Sequence, residues 1–503
     1  MSSSTSTISS GWPRFAVVKS DFKKTYLRHI TKEESTAKGV PPTSLLSDGN
    51  DITSPNVKFE LISAKKNPKW VHIRCSHNNK FLTMQVDKNN VDNPWVILAS
   101  SGEPIEKDSP EQPGTWFQVT KDGDTSFKFT HVASQRCAAF YRESLYAVLG
   151  IPVDGDAKMT KFDILDWQSL VLFPKTPTVA FLGPNNKYLT PYGDDSVMLF
   201  NSVDITDVGV AHQIFVVGDG YICVKNVSTG TFWTLSYKNW IYAIVHDLKD
   251  ATLFWPVKVA DNTVALLYKD PVSTKDRYTQ IFSDDNYEDG LNANSTKITS
   301  VAKLVVVETA GSRSIYGIDF RPDEGRIYNV QALEKAHASA ENYDEKDDNT
   351  LNLTFSYKTS RATTYSASGS FKIGVHTSIE VSEVPLVAKE TIGFSYEFTT
   401  TIGWASTKTV ETATESTYTV KVPSKTRTTV TLIATQGMCD VPFSYTQRDV
   451  LHDGSVIIHK LNDGIFTGLN TFNMDFIALE EKLPTNKDDN NPSSSVKNCI
   501  TKY

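Results

Sequence analysis

A chain of 503 residues with 39% hydrophobic content exceeds what one core organises, so about three domains are expected. Its 51 basic and 58 acidic residues give a formal net charge of -7, which leaves no basic surplus to displace counterions from a phosphate backbone and excludes nucleic acid as a partner. The aromatic share is 11%, with 9 Trp and 20 Tyr, a supply of flat rings suited to β-rich cores or to stacking on sugars.

In chain order, Met1 to Ser10 is a Ser/Thr run without the positive start and apolar stretch of a signal peptide, so the protein is expected to be cytoplasmic as synthesised and to act, if anywhere else, at target-cell membranes. No segment reaches ~18 consecutive apolar residues, which makes any membrane insertion conditional. Cys75, Cys137, Cys223, Cys439 and Cys499 are scattered without CxxC spacing, as reduced thiols are, and the sequons at Asn226, Asn294 and Asn352 are then expected to stay unmodified. Short alternating runs bounded by Gly, Asn, Asp and Pro indicate an all-β protein, with helical character only at Tyr328 to Tyr343.

The chain repeats itself. Val71 to Met84 (VHIRCSHNNKFLTM) aligns without a gap to Ile222 to Leu235 (ICVKNVSTGTFWTL), with Phe81 and Phe232 in phase, 151 residues apart by subtraction. KKTYL ending at Leu27 and NNKYL ending at Leu189 are further polar turns closing into strands, as repeated hairpin units require. Two homologous β domains are therefore expected between residues 11 and 309.

These phrases, with Phe162 to Lys175 (FDILDWQSLVLFPK), Ala211 to Phe215 (AHQIF) and the run Phe232 to Ile241 (FWTLSYKNWI), resemble the amaranthin-type agglutinins across both domains. The resemblance implies two tandem β-trefoil lectin domains, 11–174 and 175–309. It also implies galactose- or N-acetylgalactosamine-containing glycans on glycoproteins or glycolipids as ligands, bound where the first domain of one subunit meets the second domain of another. A homo-oligomer, and avidity for clustered glycans, would follow.

A sugar needs planar amide or carboxylate partners for its hydroxyls and a ring over its C–H face. Both domains supply such a set after the equivalent hairpin: Asp92, Asn93 and Trp95 in the first, Tyr237, Asn239 and Trp240 in the second. Spacing alone equally allows Trp95 and Trp240 to be core rings and the Asn residues to make turns. Where the resemblance implies an Asn-x-Tyr-Trp loop, the first domain has Pro94 for the tyrosine and extra residues around Asn89 and Asn90, which reshapes the rim.

From Ala310 the chain becomes dense in Ser and Thr with long alternating strands, and residues 310–483 resemble the aerolysin-type pore-forming module, an elongated β-sheet. Within it, Phe371, Ile373, Val375, Ile379 and Val381 alternate with polar residues, and so do Ile392, Phe394, Tyr396 and Phe398 on a return arm. With Val384, Leu386 and Val387 as an apolar turn beside Pro385, residues 371 to 404 are expected to form a membrane-inserting hairpin with a lipid face and a lumen face. A half-buried hairpin of a permanent sandwich would alternate in the same way.

No HExxH, Gly-x-Ser-x-Gly, Walker-type loop or placed GxGxxG occurs, so no enzyme is expected, and no cofactor. The acidic run Asp284, Asp285, Glu288 and Asp289 lacks EF-hand spacing and reads as a solvated turn, and the ten scattered histidines do not suggest a metal. Residues 484–503 have the composition of a disordered tail. The expected function is thus a lectin that targets glycans and oligomerises into a β-barrel pore, in plant defence. The alternatives are a multivalent agglutinin or storage lectin whose last module only mediates oligomerisation, and a glycan-acting enzyme that uses the trefoils as binding modules.

Overall fold

The computed structural model describes residues 11–88, 91, 94–107, 114–123, 125–141, 144–148, 157–173, 178–269, 275–367, 377–396, 404, 406–452, 454–484 and 498–501. It is nearly all β. Twelve strands fill the first domain: β1 (Phe15–Ser20), β2 (Tyr26–His29), β3 (Leu45–Gly49), β4 (Lys58–Ser63), β5 (Trp70–Cys75), β6 (Phe81–Val86), β7 (Trp95–Ser101), β8 (Trp116–Lys121), β9 (Ser126–His131), β10 (Arg136–Tyr141), β11 (Ser144–Val148) and β12 (Phe162–Asp166). Six of them pair in a closed ring, β1 with β4, β4 with β5, β5 with β8, β8 with β9, β9 with β12 and β12 with β1. Closure removes every sheet edge from the barrel. The remaining strands form three cap hairpins, β2–β3, β6–β7 and β10–β11. A six-stranded barrel capped by three hairpins is the β-trefoil.

The second domain repeats the plan with β13 (Val179–Leu182), β14 (Tyr188–Tyr192), β15 (Val197–Ser202), β16 (His212–Val217), β17 (Tyr221–Asn226), β18 (Phe232–Leu235), β19 (Ile241–Val245), β20 (Phe254–Ala260), β21 (Thr263–Lys269), β22 (Asp276–Phe282), β23 (Gly290–Ser295) and β24 (Leu304–Glu308). Its barrel runs β13, β16, β17, β20, β21, β24 and back to β13. The segments that align in the sequence are β5–β6 and β17–β18, the same station in each trefoil. Inward positions of each barrel carry one apolar cluster, with Phe59, Phe117 and Phe162 in the first and Phe181 and Phe254, joined by Trp233 from the cap strand β18, in the second. Each buried ring of this kind stabilises by about 1.5–3 kcal/mol relative to exposure.

One α-helix, α1 (Lys32–Lys38), is inserted into the β2–β3 hairpin, where no helix was expected. The signals are local: Thr31 accepts a bond from the Glu34 backbone N–H at 3.3 Å, and Gly39 closes the helix at φ 64.

The long strands follow: β25 (Ala310–Phe320), β26 (Arg326–Asn342), β27 (Asn349–Ser366), β28 (Thr377–Ile379), β29 (Glu383–Ala388), β30 (Thr391–Tyr396), β31 (Thr407–Val422), β32 (Thr426–Leu451), β33 (Val456–Lys482) and β34 (Asn498–Thr501). Eight of them make one sheet in the order β28-β25-β32-β33-β27-β31, with β26 paired to β32 and β34 to β26, while β29 and β30 form a separate two-stranded sheet. The contacts divide the chain into two compact units, one holding both trefoils with Thr446–Asp463, the other holding Tyr316–Ala367, Ser378–Tyr445 and the strands after Gly464. In the first unit Arg313 is buried between two carboxylates, donating from Nε to Asp449 Oδ1 at 2.7 Å and reaching Glu308 Oε2 at 3.0 Å.

Two expectations change here. Tyr328 to Tyr343 is almost wholly strand: within β26, Ala336, Ala338 and Ala340 are buried at every second position, opposite Leu432, Val430 and Thr428. Ladder pairing and period-two burial override the helix propensity of Ala, Glu and Lys. In the expected disordered tail, Asn498–Thr501 pairs with His337–Ala340 as β34. Among the described residues no helix is long and apolar enough to cross a membrane, which says nothing of crossing with strands.

Candidate glycan platform and hairpin

The two Asn-Trp loops occupy the same topological place, the turn of the second cap hairpin: β6–β7 in the first trefoil and β18–β19 in the second. In the first, Asp92 and Asn93 lie outside the described residues. Trp95 opens β7 opposite Val86, is half-buried against the barrel core, and carries the Arg136 guanidinium 5.4 Å from its ring centroid.

In the second trefoil the turn is built in detail. Lys238 and Asn239 both take the left-handed conformation, at φ 55 and 65, which non-glycine residues adopt only when neighbours hold them there. Two side chains from the third cap hairpin do so. Arg277 Nη1 donates to Asn239 Oδ1 at 2.7 Å, and Asn292 Nδ2 donates to the Lys238 carbonyl at 3.0 Å. The held turn projects Tyr237, which is 73% exposed, and Lys238 lies 5.4 Å from its ring centroid.

Trp240 departs from the stacking role. It is 1% exposed, with its ring 5.7 Å from Phe282 and 5.3 Å from Tyr287, and a Cβ on Gly290 would come within 2.5 Å of the indole. Large indoles find their burial where a neighbouring glycine leaves room, and here the ring is the floor of the platform and not its face. Tyr287 in turn donates from its hydroxyl to Asp195 Oδ2 at 2.6 Å, a bond that raises the tyrosine pKa. Arg277, Tyr287 and Asp195 escaped the reading of loop wording because none lies on the loop's own hairpin: Arg277 and Tyr287 belong to β22–β23 and Asp195 to β14–β15.

The acidic run beside them is a turn. Asp284 Oδ1 accepts from the backbone N–H groups of Asn286 at 2.8 Å and Tyr287 at 3.1 Å, bonds that hold its carboxyl below the usual range. Among the described residues no group of three or more His, Cys, Asp and Glu could hold a metal ion.

For the second candidate, Phe371, Ile373, Val375 and Phe398 lie outside the described residues. The described part corrects the turn. Val384, Leu386 and Val387 sit within β29, whose register Glu383↔Tyr396 to Ala388↔Thr391 puts the turn at Lys389 and Glu390, with Lys389 at φ 59. Pro385 is tolerated in this strand because, among the described residues, β29 has a ladder neighbour on one side only. The tip is therefore charged. Ile379 belongs to the edge strand β28 and is buried, as are Val381, Val384 and Val387, while Tyr396 is 80% exposed.

Side chains fix the hairpin. Asn470 of β33 clamps the backbone of one residue, accepting from Val387 N at 2.8 Å and donating to Val387 O at 2.9 Å. Half-buried Phe394 packs 5.9 Å from Phe320, and half-buried Ile392 reaches Gly325, where a Cβ would come within 2.2 Å of it. A cleft of about 740 Å³ lies between Gly317–Phe320 and the residues Glu380, Val381, Phe394 and Tyr396.

No curated protein matches the chain in sequence. Among solved structures it is similar to a lamprey immune protein, at 12% identity over 71% of this chain and 87% of that one with a TM-score of 0.29. It is similar as well to an aerolysin-like protein of Bombina maxima, at 12% identity over 33% of this chain and 99% of that one with a TM-score of 0.24. A third is a non-toxic homologue of type II RIPs from Momordica charantia (bitter gourd) in complex with α-methyl-D-galactoside, at 9% identity over 58% of this chain and 96% of that one with a TM-score of 0.24. The family model of the Agglutinin domain matches residues 171–308, and the second trefoil of this chain is an agglutinin domain.

Proposed function

We propose that the chain is a lectin that binds galactose- or N-acetylgalactosamine-containing glycans and, once several copies assemble on a glycan-bearing membrane, inserts the hairpin within residues 371–404 to form a β-barrel pore. The agglutinin domain supports the first half, and the rigidly held Tyr237 turn supplies a ring and amide of the kind sugar recognition needs.

One observation carries the second half: among the described residues, β29 and β30 pair with each other and with no strand of the main sheet. Lifting them away breaks the two bonds of Asn470 and the contacts of Phe394 and Ile392, and among the described residues of the hairpin the ladder at stake is that of the three-residue β28. A segment tied by side chains leaves at far lower cost than a central strand, whose buried backbone groups would lose their partners. In a closed barrel those groups are paired again.

Dye release from vesicles with a galactose-terminated glycolipid tests this. Phe394→Arg places a charge on the lipid face at a cost of roughly 2–4 kcal/mol, so release should stop while glycan binding persists. Asn470→Ala should speed release. Parental release by Phe394→Arg with glycan binding intact would rule this hairpin out.

A further inference from the structure

The outer wall of the first barrel holds a lysine without a counter-charge. Ala16 and Val18 of β1 and Phe59 and Leu61 of β4 belong to the barrel core, so strand alternation turns Phe15, Val17, Lys58 and Glu60 outward. Lys58 is half-buried opposite Val17, with its Nζ 4.5 Å from the ring centroid of Phe15 and 5.3 Å from that of Trp167. Among the described residues no carboxylate pairs with it. Glu60, the acid that acts on it, is occupied by two other cations: Oε1 accepts from Arg14 Nε at 2.9 Å, and Oε2 from Arg74 Nε at 2.9 Å.

Three cations thus share one carboxylate. Guanidinium groups keep their protons at any physiological pH, so the like-charge repulsion is relieved at the amine. The rings attract an ammonium but offer it no hydrogen-bond acceptor in place of water. Burial, then repulsion by Arg74 and Arg14, outweighs the pull of Glu60 and brings Lys58 down to about 8. Roughly one amine in five is then neutral at pH 7.4, against about one in a thousand for an ordinary lysine. The neutral amine is the nucleophile, and a desolvated lysine next to another cation is activated in this way. Arg14 flanks the same Phe15 ring, its guanidinium carbon 5.1 Å from the centroid, and its side chain is 54% exposed. Among the described residues its two terminal amino groups carry no hydrogen bond.

We infer that Lys58 is a covalent capture site for small carbonyl compounds that carry an acid group, with Arg14 holding the acid. The lone pair of Nζ attacks the carbonyl carbon, the carbinolamine loses the carbonyl oxygen with the two amine protons as water, and a C=N bond replaces C=O. No oxidant or reductant is needed. Charge selects the class. With Lys58 protonated, the positive groups Arg14, Lys58 and Arg74 face the single negative Glu60; as a neutral imine Lys58 drops out of this set, and one acid group on the captured compound cancels the cation left over. Arg14 supplies the planar donor pair that a carboxylate or phosphate takes best. The site lies on the barrel wall, away from the cap hairpins, and stands independently of the glycan reading.

The probe is pyridoxal 5′-phosphate, an aldehyde with a phosphate, added to the full chain. Borohydride then delivers hydride to the imine carbon and fixes each adduct for mapping by peptide mass spectrometry. Exposed Lys65 and Lys69 are the internal standards. At pH 7.4 Lys58 should be labelled at least about tenfold faster than either, and its rate should level off above about pH 8 while theirs keeps rising. Lys58→Arg should lose that adduct and keep the melting temperature of the parent. Propanal, which has no acid group, should prefer Lys58 over Lys65 by a smaller factor. Arg14→Gln should bring the preference of pyridoxal phosphate down to that of propanal, a ratio from which any change in the amine itself cancels. Labelling of Lys58 no faster than Lys65 in the folded chain overturns the site. Equal preference by the two aldehydes in the parent overturns the acid-bearing class and the role of Arg14.

Discussion

The two trefoils share one strand plan and differ in where they place polar groups. In the first, β4 and β5 set Glu60 opposite Arg74, both buried, with Arg74 Nε 2.9 Å from Glu60 Oε2 and Arg14 Nε 2.9 Å from Oε1. In the second, the corresponding pair on β16 and β17 is exposed Gln213 opposite half-buried Lys225. One register back the exchange reverses: Phe59 faces Cys75 in the first, and His212 faces Asn226 in the second. At the caps, the first trefoil has α1 inserted in its β2–β3 hairpin, whereas the second keeps a short turn at Tyr192–Val197. A closed barrel tolerates either an ion pair or an amide at the same station, provided each is satisfied, and individuality is left to the caps.

The sharpest way to break this comparison is to remove one partner from each ladder pair. Arg74→Met leaves the buried Glu60 carboxylate to the half-exposed Arg14 and should destabilise the first trefoil by about 1.5–3 kcal/mol, whereas Lys225→Met should change the second by less than about 1 kcal/mol. Hydrogen exchange read separately on peptides of the two trefoils distinguishes them, and equal losses would show that the stations are not used differently.

Acid should sharpen the contrast next. Burial pushes His212 down to about 4, against the pull of the Val210 and Val179 carbonyls. Its folded pKa lies below the unfolded value, so the neutral form is the folded one. The stability it contributes is complete above about pH 6.5 and falls by roughly 3 kcal/mol as the pH drops to 4. Burial would raise the Glu60 carboxyl, but Arg74 and then Arg14 draw it below its ordinary value, so that pair loses its contribution only as the pH falls through the depressed value. Exchange from pH 7 to 4.5 should therefore accelerate in the second trefoil first, and His212→Phe should abolish the difference. Simultaneous loosening of both would contradict it.

The smallest effect concerns the insertion. Thr31→Ala removes the cap of α1 and should cost about 1 kcal/mol, seen as faster exchange confined to Lys32–Lys38. A change that spread to the barrel would mean that α1 supports the core.

Much of this was legible from residues alone. The gap-free match of Val71–Met84 to Ile222–Leu235 located the same hairpin of both trefoils, because side chains that must alternate into a barrel keep their phase. The hairpin turn was misplaced because Pro385 suggested a turn, whereas the real turn, Lys389 and Glu390, contains none of the Gly, Asn or Asp residues that usually mark one. Trp240 could not be assigned to core or surface from spacing, since its burial depends on Gly290 from another hairpin.

Both barrels are closed by their outermost strands, Ala16↔Asp166 in the first and Val179↔Glu308 in the second. Neither can seal until its final strand leaves the ribosome, a wait on the order of ten seconds at typical elongation rates. The two trefoils are thus finished in sequence, each before the next segment is complete. The β29–β30 hairpin meets the opposite schedule: its clamp, Asn470, is translated 74 residues after Tyr396 by subtraction. During that interval the hairpin can pack on Phe320 and Gly325, translated before it, but lacks the Asn470 clamp, and nascent chains on neighbouring ribosomes compete for its apolar side.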